Sequence, residues 1–278
     1  MIGPRILWRG KAKSGQGMGL DCACGRRRLP DGGRAMSCFY LLGLLAAFCI
    51  GLSKAGFSGI SLVSVALLAE LYGPRESVGL ALPLLIAADL LAYPAFAKHG
   101  SWRPVWRLLA PALVGLALGW WVLGWIPDDM ARRVIGGCVL AMVVVQLTRR
   151  FKGQFFDRAL ESKWFGASVG ITGGLATMLA NAAGPVIQLY LAARNIPKME
   201  LIGIGARFFL LINLIKVPLN ARLALINVDS LMENLRLMPG VLIGVFGGRW
   251  LIRHVPQAAF EWMITGFALL AGLRLLLG

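Results

Sequence analysis

Apolar runs separated by short polar interruptions recur from residue 36 to the end of the chain. Their charge-free cores predict helical segments near 36–52, 56–71, 77–97, 105–126, 131–149, 164–179, 184–194, 199–221, 236–252 and 256–277. A hydrocarbon core of about 30 Å takes about 20 helical residues, and a broken or re-entrant half-helix takes fewer. Trp120, Trp121, Trp125, Trp250 and Trp262 fall near predicted ends, where indole rings anchor at the interface. The stretch 164–193 carries no charge at all. As one helix it would run about 45 Å, longer than a single span. Gly173-Gly174 and Gly184-Pro185 interrupt it, which predicts two shorter helices meeting at a break. In the first half, Gly51, Gly56 and Gly59 around Lys54 predict a similar break.

The two breaks prompt a search for internal repetition. A shift of about 124 residues sets Glu76 on Glu200, Gly79 on Gly203, Leu90 on Leu214 and Pro94 on Pro218. It also sets Asp89 opposite Asn213, both polar and both inside an apolar run. Each copy would hold five segments, and an odd number inverts the second copy in the membrane. The expected fold is an all-α polytopic membrane protein made of two inverted five-segment repeats with broken or re-entrant helices. Residues 1–35 would be a disordered basic tail, 36–150 the first transmembrane repeat, 151–163 a cytoplasmic linker and 164–278 the second repeat.

Composition supports the membrane reading. The 278 residues are 58% hydrophobic and 15% charged, with a mean hydropathy of +0.71. Soluble domains carry about 25% charged residues, so the soluble-enzyme classes are set aside. A net charge of +16 in a soluble chain would suggest nucleic acid. Here the basic residues sit mostly between apolar stretches, as in loops facing anionic lipid, and no aromatic-basic platform accompanies them. The expected partners are the lipid bilayer and a small anion, not nucleic acid, and self-association into a homo-oligomer stays open. The five cysteines form no disulfide framework or metal set.

Charge also orients the chain. Arg75, Arg132, Arg133, Arg222, Arg236 and Arg274 fall on one side of the predicted array. Twice as many fall on the other, among them Lys98, Arg103, Arg149, Arg150, Lys198 and Arg253. The positive-inside rule places the second group in the cytoplasm and the protein in the inner membrane as a multi-pass chain. The eight basic residues of 1–35 would erase that bias, so Met36, directly before the first span, is read as the functional start.

The functional argument rests on polar residues at membrane depth. An ionisable group there costs at least about 2.5–3.5 kcal/mol, so it faces a cavity, a partner or a pathway. Four are predicted: Lys54, Asp89, Arg207 and Lys216. Ser53, Ser58, Ser61, Thr172 and Asn181 add neutral hydrogen-bonding groups near the breaks. Opposed half-helices with a lysine and an arginine make an anion site, because freed N–H groups carry partial positive charge. Asp89 would balance a cation or bind and release a proton. Lys216 lies 2.5 turns beyond Arg207, so the two project to opposite faces. Blander readings stand beside these. Lys216, just before Val217-Pro218, would snorkel to the interface. Arg207 and Asp89 would form a structural pair, Lys54 would lie in an exposed turn, and the glycines would serve helix packing. His99 and His254 fall in predicted loops, and no metal, cofactor or catalytic group is expected.

The segment Gly51-Leu52-Ser53-Lys54-Ala55-Gly56-Phe57-Ser58-Gly59, continuing to Tyr72-Gly73-Pro74, resembles the sulfite exporter TauE/SafE family of membrane transporters. Gly170-Ile171-Thr172-Gly173-Gly174, continuing through Gly184-Pro185 to Asn195-Ile196-Pro197, is similar to its second copy. The resemblance covers about 37–277, nearly everything but the tail. It implies a substrate site between the repeats, at Lys54, Ser53, Ser58, Thr172 and Gly173, for sulfite, sulfonates or related anions. Where many members run several glycines together, this chain has Ser53-Lys54-Ala55, and the added cation suits an anion.

The combined expectation is a secondary transporter that moves a small organic or sulfur oxyanion by alternating access. Lys54 and Arg207 would contact the anion, with Asn181 and Asn213 beside them and Asp89 coupling to a proton. Lys54→Ala would then abolish transport and leave the fold intact. A passive anion channel is the nearer alternative, since the same lining selects anions without coupling. A membrane-embedded enzyme would need a carboxylate cluster, a histidine set or a nucleophile–base pair.

Overall fold

The computed structural model describes residues 33–96, 98, 100–151, 163–193 and 198–254, with scattered positions between 266 and 277. The basic tail up to residue 32, most of the linker and most of the tenth predicted segment lie outside the described residues. Among the described residues there are nine α-helices and no strand. They are α1 (Gly33–Lys54), α2 (Ser61–Tyr72), α3 (Pro74–Phe96), α4 (Trp102–Trp125), α5 (Asp128–Phe151), α6 (Lys163–Ala180), α7 (Gly184–Ala193), α8 (Lys198–Arg222) and α9 (Val228–His254). Four stretches within them are long and apolar enough to cross a membrane: Ser37–Lys54, Pro74–Phe96, Trp102–Trp125 and Met199–Arg222. The chain is an all-α, multi-pass membrane protein.

Both breaks are present as re-entrant hairpins. The Tyr72 ring, ending α2, lies 5.1 Å from that of Phe39 near the start of α1, so α2 returns to the end from which α1 set out. Tyr190 of α7 lies 6.2 Å from Phe165 of α6, so the second pair folds back in the same way. The first tip is formed by 55–60, partly as a 3-10 turn over Ser58–Ile60. The second is formed by 181–183.

The second break lies between the predicted segments 164–179 and 184–194, and of the two glycine signals Gly184-Pro185 borders it while Gly173-Gly174 does not. α6 runs uninterrupted through Gly173-Gly174, because in lipid a helix keeps its backbone bonds even across glycines. The chain leaves α6 at Asn181, whose φ of 52° is left-handed and tolerated best by glycine and asparagine. Its N–H still donates to the Thr177 carbonyl at 3.0 Å, and Pro185 then opens α7, where its missing N–H is harmless.

The glycines of α6 serve close packing instead. A Cβ on Gly174 would lie 2.0 Å from the Ala112 carbonyl oxygen of α4, and one on Gly115 of α4 would lie 1.9 Å from that of Ile171. The α1–α9 pairing uses the same device, with Gly51 against Val241 and Gly244 against Phe48. Around these contacts sit two aliphatic cores, one built on Leu108, Leu116, Ile135 and Ile187, the other on Ile50, Leu84 and Val241.

Three further departures are local. α9 begins at Val228 rather than 236, with polar contacts along its first turns. Glu233 accepts from the Tyr72 hydroxyl at 2.8 Å and pairs with Arg236 at 3.2 Å. Trp120 turns inward and donates to the Leu219 carbonyl at 3.1 Å, whereas Trp121, Trp125 and Trp250 are exposed as anchors would be. His254 ends α9 instead of lying in a loop, and His99 lies outside the described residues.

Candidate functional site

Lys54 is the last residue of α1, where the unsatisfied carbonyls of a helix end favour a cation. Its Nζ lies 2.8 Å from Asp89 Oδ1 on α3. The second carboxylate oxygen of Asp89 accepts from Asn213 Nδ2 of α8, also at 2.8 Å. Asp89 is 1% exposed, and these two donors satisfy both of its carboxylate oxygens. Lys54 is itself mostly covered, and its ammonium stands 4.7 Å from the centre of the Phe209 ring. It therefore does not lie in an exposed turn, and the partner of Asp89 is Lys54, not Arg207.

Lys216 is wholly buried and does not snorkel. Three residues beyond Asn213, it shares that residue's face of α8 and points inward. Its Nζ donates to the Thr177 carbonyl at 2.7 Å and to Asn181 Oδ1, with Thr177 Oγ1 at 3.4 Å. These acceptors sit at the C-terminal end of α6, so both lysines occupy the negative ends of broken helices.

Between the two tips lies a cavity of about 60 Å³, bordered by Ser53, Lys54, Ser61 and Asp89 from the first half and Thr177, Asn181, Gln188 and Asn213 from the second. Leu85, Ala92, Leu201, Ile202 and Phe209 form its apolar wall. Ala92 and Leu201 extend it toward the end where α3 leads into α4. One water needs roughly 10–15 Å³ by this measure, so the space suits a small ion of a few heavy atoms.

Of the residues singled out from the sequence, Ser53, Lys54, Ser61, Asp89, Asn181 and Asn213 meet at this cavity. Thr172 is exposed, and its hydroxyl donates to the Ser168 carbonyl of its own helix at 2.8 Å. Gly173 packs on Ile187. The Arg207 guanidinium lies over the Trp102 ring at 5.1 Å, against Gly100 in the α3–α4 connection and away from the cavity border. Ser58 opens the 3-10 turn, and its side chain lies outside the described residues. Thr172→Ala is expected to leave transport within about twofold of the parent, since the change removes only a local bond of an exposed hydroxyl. A loss of tenfold or more in a vesicle flux assay would return Thr172 to the site.

Sequence reasoning passed over Thr177, Gln188 and the inward role of Lys216. A signal existed, because Thr177 and Asn181 stand four apart on one face, as Asn213 and Lys216 stand three apart. Among the described residues no group of His, Cys, Asp and Glu could hold a metal.

Residues 42–275 match the sulfite exporter TauE/SafE family. The chain belongs to this family. TauE/SafE proteins are membrane transporters rather than enzymes, so this chain is a transporter whose partners are a small anion and the lipid around it. No curated protein and no solved structure matches it.

Proposed function

We propose that the protein is an alternating-access secondary transporter that carries sulfite, a sulfonate or a related small sulfur oxyanion across the inner membrane. The observation that carries this reading is the buried Lys54–Asp89–Asn213 centre beside a small cavity at two opposed hairpin tips. Lys54 is the group that would meet the anion, with Ser53, Ser61, Thr177 and Asn213 supplying hydrogen bonds. The N-terminal ends of α2 and α7, at Ser61 and Gly184, border the same space with their partial positive charge. Lys54 and Lys216 stand around the single carboxylate of Asp89, a bias toward cationic groups that suits an anion. A proton on Asp89 releases Lys54 from its partner and makes room for a second negative charge. That exchange would couple anion movement to protons.

Two inverted repeats, 36–150 and 164–278, are the scaffold this mechanism needs. Asp89 and Asn213 stand 124 positions apart and hydrogen-bond to one another, as equivalent residues on a two-fold axis would. The two most extensive helix pairings, α1 with α9 and α4 with α6, exchange under the same offset. By the positive-inside rule, the excess of basic residues at the α3–α4 end would turn that end of the cavity toward the cytoplasm.

The test is uptake of labelled sulfite, sulfate and a simple sulfonate into proteoliposomes, with and without an imposed pH gradient. Gradient-driven accumulation of sulfite or the sulfonate is expected. Equilibration without accumulation would identify a passive channel, and no flux of any of the three would remove the anion assignment.

A further inference from the structure

A second, much smaller cavity of about 10 Å³ lies on the other side of the hairpin tips, toward the α2–α3 end. Ser61, Leu85 and Asn181 border both cavities. The hydroxyls of Ser64 and Ser77 line the small one, each donating to a carbonyl three residues back at 2.7 Å and keeping its oxygen as an acceptor. Its walls on α3, Ser77, Val78 and Ala81, stand 124 positions before Leu201, Ile202 and Gly205, which wall the large cavity on α8. This is the offset that relates Asp89 to Asn213. The two cavities are thus built from the same register positions of α3 and α8, one wide and the other nearly closed.

The closed side also carries an uncompensated polar group. Asn220, four residues beyond Lys216 and on the same face of α8, is wholly buried, and neither amide atom makes a hydrogen bond. Such a group costs free energy in an apolar interior and is satisfied once that side is wetted.

Asn181 stands between the cavities. Its Nδ2 donates to the Val78 carbonyl of α3 at 3.2 Å, and its Oδ1 accepts from Lys216 of α8. It sits at the tip of a re-entrant hairpin, so a swing of α6 and α7 breaks both bonds together. We propose that the small cavity is the closed half of the anion's route and that Asn181 is the latch separating it from the open half. The inference rests on the transporter reading and adds the residues through which the small oxyanion leaves the central cavity.

The test uses the full chain in proteoliposomes, its native cysteines replaced by serine, with Ser77→Cys as the reporter. A membrane-impermeant thiol reagent is applied from the α2–α3 side in the absence of sulfite. Adding Asn181→Ala is expected to speed labelling by about tenfold or more, since the latch then no longer favours the closed state. Equal labelling with and without the latch would overturn the proposal. Independently, Ala81→Trp is expected to slow sulfite exchange about tenfold or more while sulfite binding stays within about twofold, because it plugs the exit and leaves the central cavity open. Unchanged exchange in that variant would also overturn it. A parent that moves no sulfite, but whose labelling follows Asn181, would sink the substrate assignment and leave the latch standing.

Discussion

Lys54→Ala is expected to lower sulfite transport by at least about thirtyfold, because truncating one partner of a buried charged contact costs about 2–5 kcal/mol. The structure adds a second effect that the isolated sequence does not suggest. Lys54 is the ion partner of Asp89, so its removal leaves a carboxylate buried with only the Asn213 amide to hold it. Breaking such a pair destabilises a fold by about 3–5 kcal/mol, and the single variant is therefore expected to be both inactive and unstable. Neutralising the partner separates the two effects. Lys54→Ala combined with Asp89→Asn is expected to recover most of the thermal stability in detergent, since no unpaired charge then remains. Transport is expected to stay lost. Recovery of both would make Lys54 a mere counter-ion and move the anion elsewhere in the cavity.

The second large effect concerns the α4–α6 contact. Gly174→Ala is expected to destabilise the protein by at least about 1–3 kcal/mol, the usual cost of forcing extra atoms into a packed interface. The added Cβ would meet the Ala112 carbonyl oxygen at 2.0 Å. A backbone oxygen cannot turn away as a side chain can, so α4 and α6 must separate. α6 carries Thr177 and Asn181 at its end, so the displacement reaches the Lys216 contacts, and transport is expected to fall with stability. Gly137→Ala in α5 is the control. A Cβ there meets nothing within 4 Å, and alanine in place of glycine in a helix is neutral or stabilising by up to about 1 kcal/mol. Thermal unfolding of the three proteins in one detergent decides the matter. Equal midpoints for Gly174→Ala and the parent would mean that the helices are not held this closely.

Much of this architecture is legible in the residue order, for a reason peculiar to the bilayer. Lipid offers no partner to backbone polar groups, so helix positions follow hydropathy directly, and the runs predicted near 77–97, 105–126 and 199–221 are close to α3, α4 and α8. The same solvent makes Lys54, Asp89 and Lys216 expensive, which marks them without any knowledge of their neighbours. The offset that pairs Asp89 with Asn213 is likewise visible in sequence, and the two residues touch.

Who partners whom is a different kind of information. The rotation of each helix about its axis follows from packing, in which glycines set how closely two backbones approach, and hydropathy is blind to it. Packing turned Arg207 toward Trp102 and brought Lys54 to Asp89. It also placed Lys216 on the end of α6, a position that a count of residues to the next proline does not reveal. Which of the two glycine signals makes the second break is governed by the same limit. Gly173-Gly174 has the composition of a hinge, yet the contact with Ala112 keeps it helical, and the chain turns eight residues beyond Gly173, at Asn181. Protein class, helix positions and the identity of the costly residues can be read from residue order, because they follow from transfer between water and lipid. Which of these residues share a cavity depends on which faces of the helices meet, and that emerges only on packing.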